Sequence, residues 1–301
     1  MNEEKIAEIN YEQYNPKNIV IWDKYIEIGS ERRELEKAIV DGNTPYLIES
    51  EKGQGKTLLV HTICKENNIA LVTEPVGSGT SKYDLIGNRE INRDGTVFNL
   101  GLLPRAVCVA NKFKHALLYG DEANAQDHDI QRWWNSICDG RASVVANGVT
   151  YRLNEGCKLS IVWTINPITY AGINTMTEDL RSRFIGEAWA YPSSKDIEKV
   201  IDWENIPVES IKTPLLRFVQ DVYAMRVKGE VEYALSIRDI AQFVNHYRTR
   251  YRNSFGDSLT PSIDSTTLKN TITQVFLIKY SDPSEREFIR IRASDTFGVG
   301  V

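Results

Sequence analysis

The stretch that most constrains this chain is Tyr46-Leu47-Ile48-Glu49 followed by Ser50-Glu51-Lys52-Gly53-Gln54-Gly55-Lys56-Thr57 and the helix-like Leu58-Leu59-Val60-His61. An apolar run empties into a glycine-bearing loop, and the loop ends in Gly-Lys-Thr at the head of a helix. It follows the strand–loop–helix spacing G-x-x-x-x-G-K-[ST], with Ser50 at the position of the first glycine. Such a loop turns its backbone N–H groups inward around phosphate, and glycines permit the conformations this requires. The helix that follows adds the positive end of its dipole. Glu51, Lys52, Gly53, Gln54, Gly55, Lys56, Thr57 and Leu58 are therefore the predicted nucleotide-binding residues. Lys56 is placed to reach the β- and γ-phosphates of ATP, and the Thr57 hydroxyl to ligate Mg²⁺.

A second run, Ala116-Leu117-Leu118-Tyr119-Gly120, delivers Asp121-Glu122-Ala123-Asn124 at its carboxyl end. Adjacent side chains diverge at a strand end, so two neighbouring acids can do different work. Asp121 is predicted to hold Mg²⁺, usually through water, and Glu122 to accept a proton from, or orient, the attacking water.

The apolar runs Pro45 to Glu49, Ala70 to Val76, Ala116 to Gly120, Leu159 to Thr164 and Ile185 to Tyr191 alternate with helix-length segments. Continuous rather than alternating apolar character is expected of strands buried on both faces of a parallel sheet. The expected fold class is α/β, a P-loop parallel sheet with flanking helices, over residues 28–192. Residues 1–27 read as an N-terminal segment packed on that domain. Beyond Pro192, Ser194 to Trp203, Pro214 to Lys228 and Ser236 to Arg250 predict a small all-α domain over 193–282, and 283–301 reads as an irregular tail. Asp94-Gly95 and Asn147-Gly148, each between β-forming residues, predict two hairpin insertions, Asn88 to Leu100 and Ala142 to Leu153. A helix is expected over Asp129 to Cys138, with Asp127 as its N-cap and Trp133-Trp134 as core or interface aromatics.

Composition narrows the function classes. Of 301 residues, 36 are Lys or Arg and 41 Asp or Glu, a net charge of −5, which disfavours a free-standing nucleic-acid binder. Cys64, Cys108, Cys138 and Cys157 have neither C-x-x-C nor zinc-finger spacing and read as reduced thiols. The amino terminus has no signal-peptide core, and no apolar run is long enough to span a bilayer. A soluble, cytoplasmic protein with no membrane association is expected.

These motifs together resemble the AAA+ superfamily, and within it the MoxR and dynein-related branch, over roughly residues 28–250. The resemblance is carried by Asp121-Glu122-Ala123-Asn124, by Asp84-Leu85-Ile86-Gly87 with Gly95 and Gly101-Leu102-Leu103, and by Trp163-Thr164-Ile165-Asn166-Pro167. It implies an AAA+ core, a helical lid, and Asn166 as the sensor-1 residue at the γ-phosphate. In Glu178-Asp179-Leu180-Arg181-Ser182-Arg183-Phe184 it implies an arginine finger at Arg183, with Arg181 as second candidate. In Ser236-Ile237-Arg238-Asp239 it implies a sensor-2 role for Arg238. It also implies an ATP hydrolase assembled as a ring, a homohexamer, that remodels a client protein alongside a partner carrying a von Willebrand factor A domain. A nucleic-acid motor or loader and a non-hydrolysing nucleotide-gated scaffold are the competing functions.

Overall fold

The computed structural model describes residues 5–27, 29–42, 44–92, 95–167, 174–206, 209–255 and 264–301. The chain divides into two compact units, Met1–Ser50 with Lys56–Trp189, and Glu51–Gly55 with Ala190–Val301.

In chain order the first unit holds β1 (Lys5–Ile6), α1 (Glu31–Asp41), β2 (Tyr46–Glu49), α2 (Lys56–Glu66), β3 (Ala70–Thr73), α3 (Lys82–Ile86), β4 (Gly87–Asn92) and β5 (Gly95–Leu100). It continues through α4 (Leu102–Phe113), β6 (His115–Gly120), α5 (His128–Gln131), α6 (Asn135–Cys138), β7 (Ser143–Ala146), β8 (Val149–Arg152), β9 (Lys158–Ile165), α7 (Glu178–Arg181) and β10 (Ile185–Ala188). Five strands form a parallel sheet in the order β10-β2-β9-β6-β3. All five expected strands are present, each within a few residues of its expected bounds. Alternate side chains feed two cores, one on each face. Leu47, Val72, Leu118, Ile161 and Trp163 pack on one side, and Ile48, Leu71, Leu117, Tyr119 and Val162 on the other, with Leu59, Val60 and Ile63 of α2. Burial on both faces is why the runs read as continuously apolar.

The two insertions are hairpins. β7 and β8 pair antiparallel around Asn147 (φ 49°) and Gly148 (φ 75°), both left-handed, as a two-residue turn of this twist requires. β4 and β5 also pair antiparallel; Asp94 of their expected turn lies outside the described residues. The N-terminal segment adds β1 as a parallel third strand on β5 and buries Tyr14 and Ile19. The single helix expected over Asp129 to Cys138 is instead α5, a tight turn at Arg132–Trp134, and α6. The break lets Trp134 enter the core, edge-on to Trp163 with ring centroids 4.9 Å apart, while Trp133 stays 42% exposed. Asp127 occupies the N-cap position without a side-chain bond to the helix.

The second unit is helical: α8 (Ser194–Trp203), α9 (Lys212–Val227), α10 (Ile237–Phe255), α11 (Ser265–Thr271) and α12 (Pro283–Phe297). Phe218, Phe243, Phe276 and Phe297 form its aromatic centre. The segment after Asp282, expected to be irregular, is α12. Its start is well specified: the Asp282 carboxylate accepts from the backbone N–H groups of Ser284 (2.8 Å) and Glu285 (3.0 Å), and Pro283 opens the helix. Its buried stripe is only Ile289, Ala293 and Phe297 among charged residues, too narrow to stand out as an amphipathic pattern. No helix among the described residues is long and apolar enough to cross a membrane.

Candidate functional site

The site begins where β6 ends. Residues two apart on a strand share a face, so Tyr119 and Asp121 project to the same side, the side that carries α2. The register of β9 beside β6 then brings in Thr164. Three hydroxyls converge on the Asp121 carboxylate. Oδ1 accepts from Tyr119 Oη at 2.9 Å and from Thr164 Oγ1 at 2.6 Å, and Oδ2 accepts from Thr57 Oγ1 at 2.8 Å. The contact between Thr57 and Asp121 spans 64 residues of sequence and joins the two motifs. Burial, then the negative charge of Asp121, raises the Tyr119 phenol well above its ordinary pKa, so it stays a donor.

Glu122 has a left-handed backbone (φ 49°), uncommon for a residue with a side chain, and its N–H donates to Thr164 Oγ1 at 3.1 Å. The Glu122 side chain is exposed.

At the end of β9, Asn166 is 1% exposed. Asn124 pins its backbone on both sides: Asn124 Nδ2 donates to Asn166 O at 2.9 Å, and Asn166 N donates to Asn124 Oδ1 at 3.3 Å. The Asn166 Nδ2 has no partner among the described residues. A buried amide donor without an acceptor is costly, and a phosphate or water oxygen would satisfy it.

Lys56 heads α2 and donates to Ser50 O at 3.0 Å and Ser50 Oγ at 2.9 Å. Leu58, in the first turn of the helix, is half-buried. Glu51–Gly55 group with the second unit, where Gly53 (φ 71°) and Gly55 (φ 85°) are left-handed. A side chain at Gly53 would lie 2.5 Å from Ser236 Oγ, so glycine is required there for space as well as conformation. The Arg238 backbone N–H donates to Gly53 O at 3.4 Å. Lys52 and Glu51 are half-buried, and Gln54 is buried with no partner for Nε2 among the described residues.

Arg183 is not part of the Thr57–Asp121 cluster. Its Nε donates to Asn135 Oδ1 at 3.1 Å and its Nη2 lies 3.3 Å from Asp179 Oδ1, while Arg181 is exposed. An open cavity of about 630 Å³ lined by His128, Arg132, Asn135, Thr177, Glu178 and Asp179 borders these partners.

Sequence reasoning named Lys56, Thr57, Asp121, Glu122 and Asn166, but missed Tyr119, Thr164 and Asn124. Tyr119 was legible in principle, as a hydroxyl two residues before Asp121 on a buried strand. Thr164 was not, because its place depends on which strand neighbours β6. The set offers hard oxygen donors, Thr57 Oγ1 and Asp121 Oδ2, and hard oxygens suit Mg²⁺.

The AAA domain (dynein-related subfamily) model matches residues 45–184. The denitrification regulatory protein NirQ of Stutzerimonas stutzeri is 25% identical over 177 residues, 59% of this chain and 62% of that protein. NirQ of Pseudomonas aeruginosa is 23% identical over 196 residues, 65% of this chain and 73% of its own length. The chain thus matches less than two thirds of the first relative. The crystal structure of a candidate ATPase from Cytophaga hutchinsonii overlaps 89% of each chain with a TM-score of 0.45 and 16% identity.

Proposed function

We propose that this chain, whose residues 45–184 match the AAA domain (dynein-related subfamily) model, is an AAA+ protein of the MoxR-like type that hydrolyses Mg²⁺-ATP and uses the energy to remodel or activate a partner protein. The observation that carries the reading is the 2.8 Å bond between Thr57 Oγ1 and Asp121 Oδ2, which brings phosphate loop and strand-end acid to one point.

In this reading Lys56 exchanges Ser50 for the β- and γ-phosphate oxygens. Thr57 and Asp121 hold Mg²⁺, which when bound draws charge from those oxygens. Glu122, exposed beside the clamped Asp121, takes the proton of the attacking water. The orphaned Asn166 amide donates to the γ-phosphate or that water, ending its unsatisfied burial. Arg183, engaged away from the Thr57–Asp121 cluster, serves as the finger toward a neighbouring copy's nucleotide, with Arg181 as alternate. Arg238 reads the nucleotide from the helical unit. A homohexameric ring, a protein client and a von Willebrand factor A domain partner complete the proposal. The acidic balance of the chain, a net charge of −5, favours a protein client over nucleic acid.

The Glu122→Gln variant tests this. It should bind ATP as the wild type does and release phosphate at a rate lower by about 10²–10⁴-fold, the usual contribution of a general base. Wild-type turnover in that variant would reject the role of Glu122. A wild-type chain without affinity for Mg²⁺-ATP would reject the whole reading.

A further inference from the structure

The Asp121 carboxylate is not held symmetrically. Oδ1 takes two hydroxyl donors from the body of the sheet, Tyr119 at 2.9 Å and Thr164 at 2.6 Å. Oδ2 takes one, from Thr57, the other candidate metal ligand. Tyr119 is fully buried, and its ring is built into the core under α2. Thr164 is fully buried too, and the N–H of Glu122 fixes its hydroxyl from the other side at 3.1 Å. Tyr119 Oη also lies 3.3 Å from Thr57 Oγ1 and 3.4 Å from Thr164 Oγ1, so its 2.9 Å contact to Oδ1 is the shortest it makes and the one it would give up by turning away.

We propose that Tyr119 and Thr164 are positioning residues that commit Asp121 Oδ1 to the fold, leaving Oδ2 alone for the cation or a water of its shell, and that this selects Mg²⁺ over Ca²⁺. Mg²⁺ is small, demands near-octahedral geometry and keeps its waters, so one fixed carboxylate oxygen suits it. Ca²⁺ gains from bidentate carboxylates and higher coordination numbers, and a carboxylate with one oxygen committed elsewhere denies it both. The inference rests on the nucleotide-binding reading above.

The test measures binding of a fluorescent ATP analogue to the full chain, titrated in Mg²⁺ and separately in Ca²⁺, and takes the ratio of the two dissociation constants. Tyr119→Phe removes one oxygen and nothing else. Thr164→Val removes the second donor at nearly constant shape, and Thr164→Ser restores it. Tyr119→Phe and Thr164→Val should each reduce the preference for Mg²⁺ about fivefold, the worth of one such hydrogen bond, while Thr164→Ser keeps the wild-type ratio. Should Thr164→Val fail to fold because the Glu122 N–H loses its acceptor, Tyr119→Phe decides alone. A general packing defect would weaken binding equally in both cations; an unchanged ratio in Tyr119→Phe overturns the proposal. If the wild type shows no cation-dependent binding at all, the nucleotide reading falls with it. A discriminating wild type with an equally discriminating Tyr119→Phe sinks only this inference.

Discussion

The Lys56 ammonium is bound to Ser50, donating to its carbonyl at 3.0 Å and to its hydroxyl at 2.9 Å. Ser50 is the residue that departs from the phosphate-loop pattern, and its hydroxyl competes with phosphate for the lysine. Ser50→Ala keeps the carbonyl contact but removes the competitor. It should tighten ATP binding a few-fold, in line with a net value of about 1 kcal/mol for one hydrogen bond. Equilibrium titration with a fluorescent nucleotide checks this, and equal or weaker binding would contradict it.

Gly120 permits the close approach of β6 to Trp163. A methyl group there would lie 2.8 Å from Trp163 Cδ1 and 2.9 Å from Nε1. The indole cannot yield, because Trp134 and Phe184 pack against it at 4.9 and 5.4 Å between centroids. Gly120→Ala should therefore destabilise the first unit by about 1–3 kcal/mol, an overpacking cost larger than the gain from a stiffer unfolded chain. Chemical denaturation followed by tryptophan fluorescence measures it; a neutral or stabilising effect would show that the strand end relaxes freely.

Asp239, 1% exposed, is the hub at the start of α10. It accepts from Tyr233 Oη (2.6 Å), Ser236 N (2.8 Å) and Ser236 Oγ (2.7 Å), and pairs with Lys279 at 3.1 Å. Asp239→Ala strands two buried donors of Ser236 and the part-buried Tyr233 hydroxyl, and leaves Lys279 without this carboxylate. The expected loss is about 3–5 kcal/mol. A calorimetric unfolding temperature within a degree of the wild type would refute this role.

Among the described residues the Arg183 side chain contacts Asn135 and Asp179, both partly exposed, so truncation should change stability by less than about 1 kcal/mol. Its expected effect is on turnover. Arg183→Ala should bind nucleotide normally yet lose about 10³–10⁵ in rate, if it acts on a neighbour's γ-phosphate. Near-wild-type phosphate release would transfer the role to Arg181 or dismiss it.

His61 and His115 both have pKa values lowered from 6.5, chiefly by burial. For His61 the Val20 backbone and the Asp121 charge oppose the shift; for His115 the Lys158 charge adds to it and the Ile39 backbone opposes it. A lowered folded-state pKa means that the unfolded chain binds the extra proton first. The stability from neutral imidazoles is therefore complete above pH 6.5 and is lost as pH falls through the folded values. NMR titration of the imidazoles should give both midpoints below 6.5; values at or above it would reverse the sign.

Much of this protein was written locally. The strand, loop and helix of residues 46–61, the two acids at 121 and 122, the five sheet strands and the Asn147-Gly148 hairpin turn each depend on neighbours a few residues away. Local rules also overreached. Residues 128–138 have helical composition, yet burying Trp134 against Trp163 broke the helix into three short turns. The α12 segment carried a good cap at Asp282 and Pro283, but its buried stripe of three residues was too thin to announce a helix.

By itself, the sequence determined which residues to propose for the chemistry, because phosphate binding and acid pairing impose spacings within a single turn or strand. It could not determine what stands beside them. Thr164 reaches Asp121 only because β9 lies between β2 and β6 in this register, and Asn124 holds Asn166 from 42 residues away. Parallel strand order is set by how the whole sheet buries both faces. Only the tertiary structure therefore decided that a tyrosine and a threonine hold one oxygen of the site's carboxylate and leave the other to Thr57.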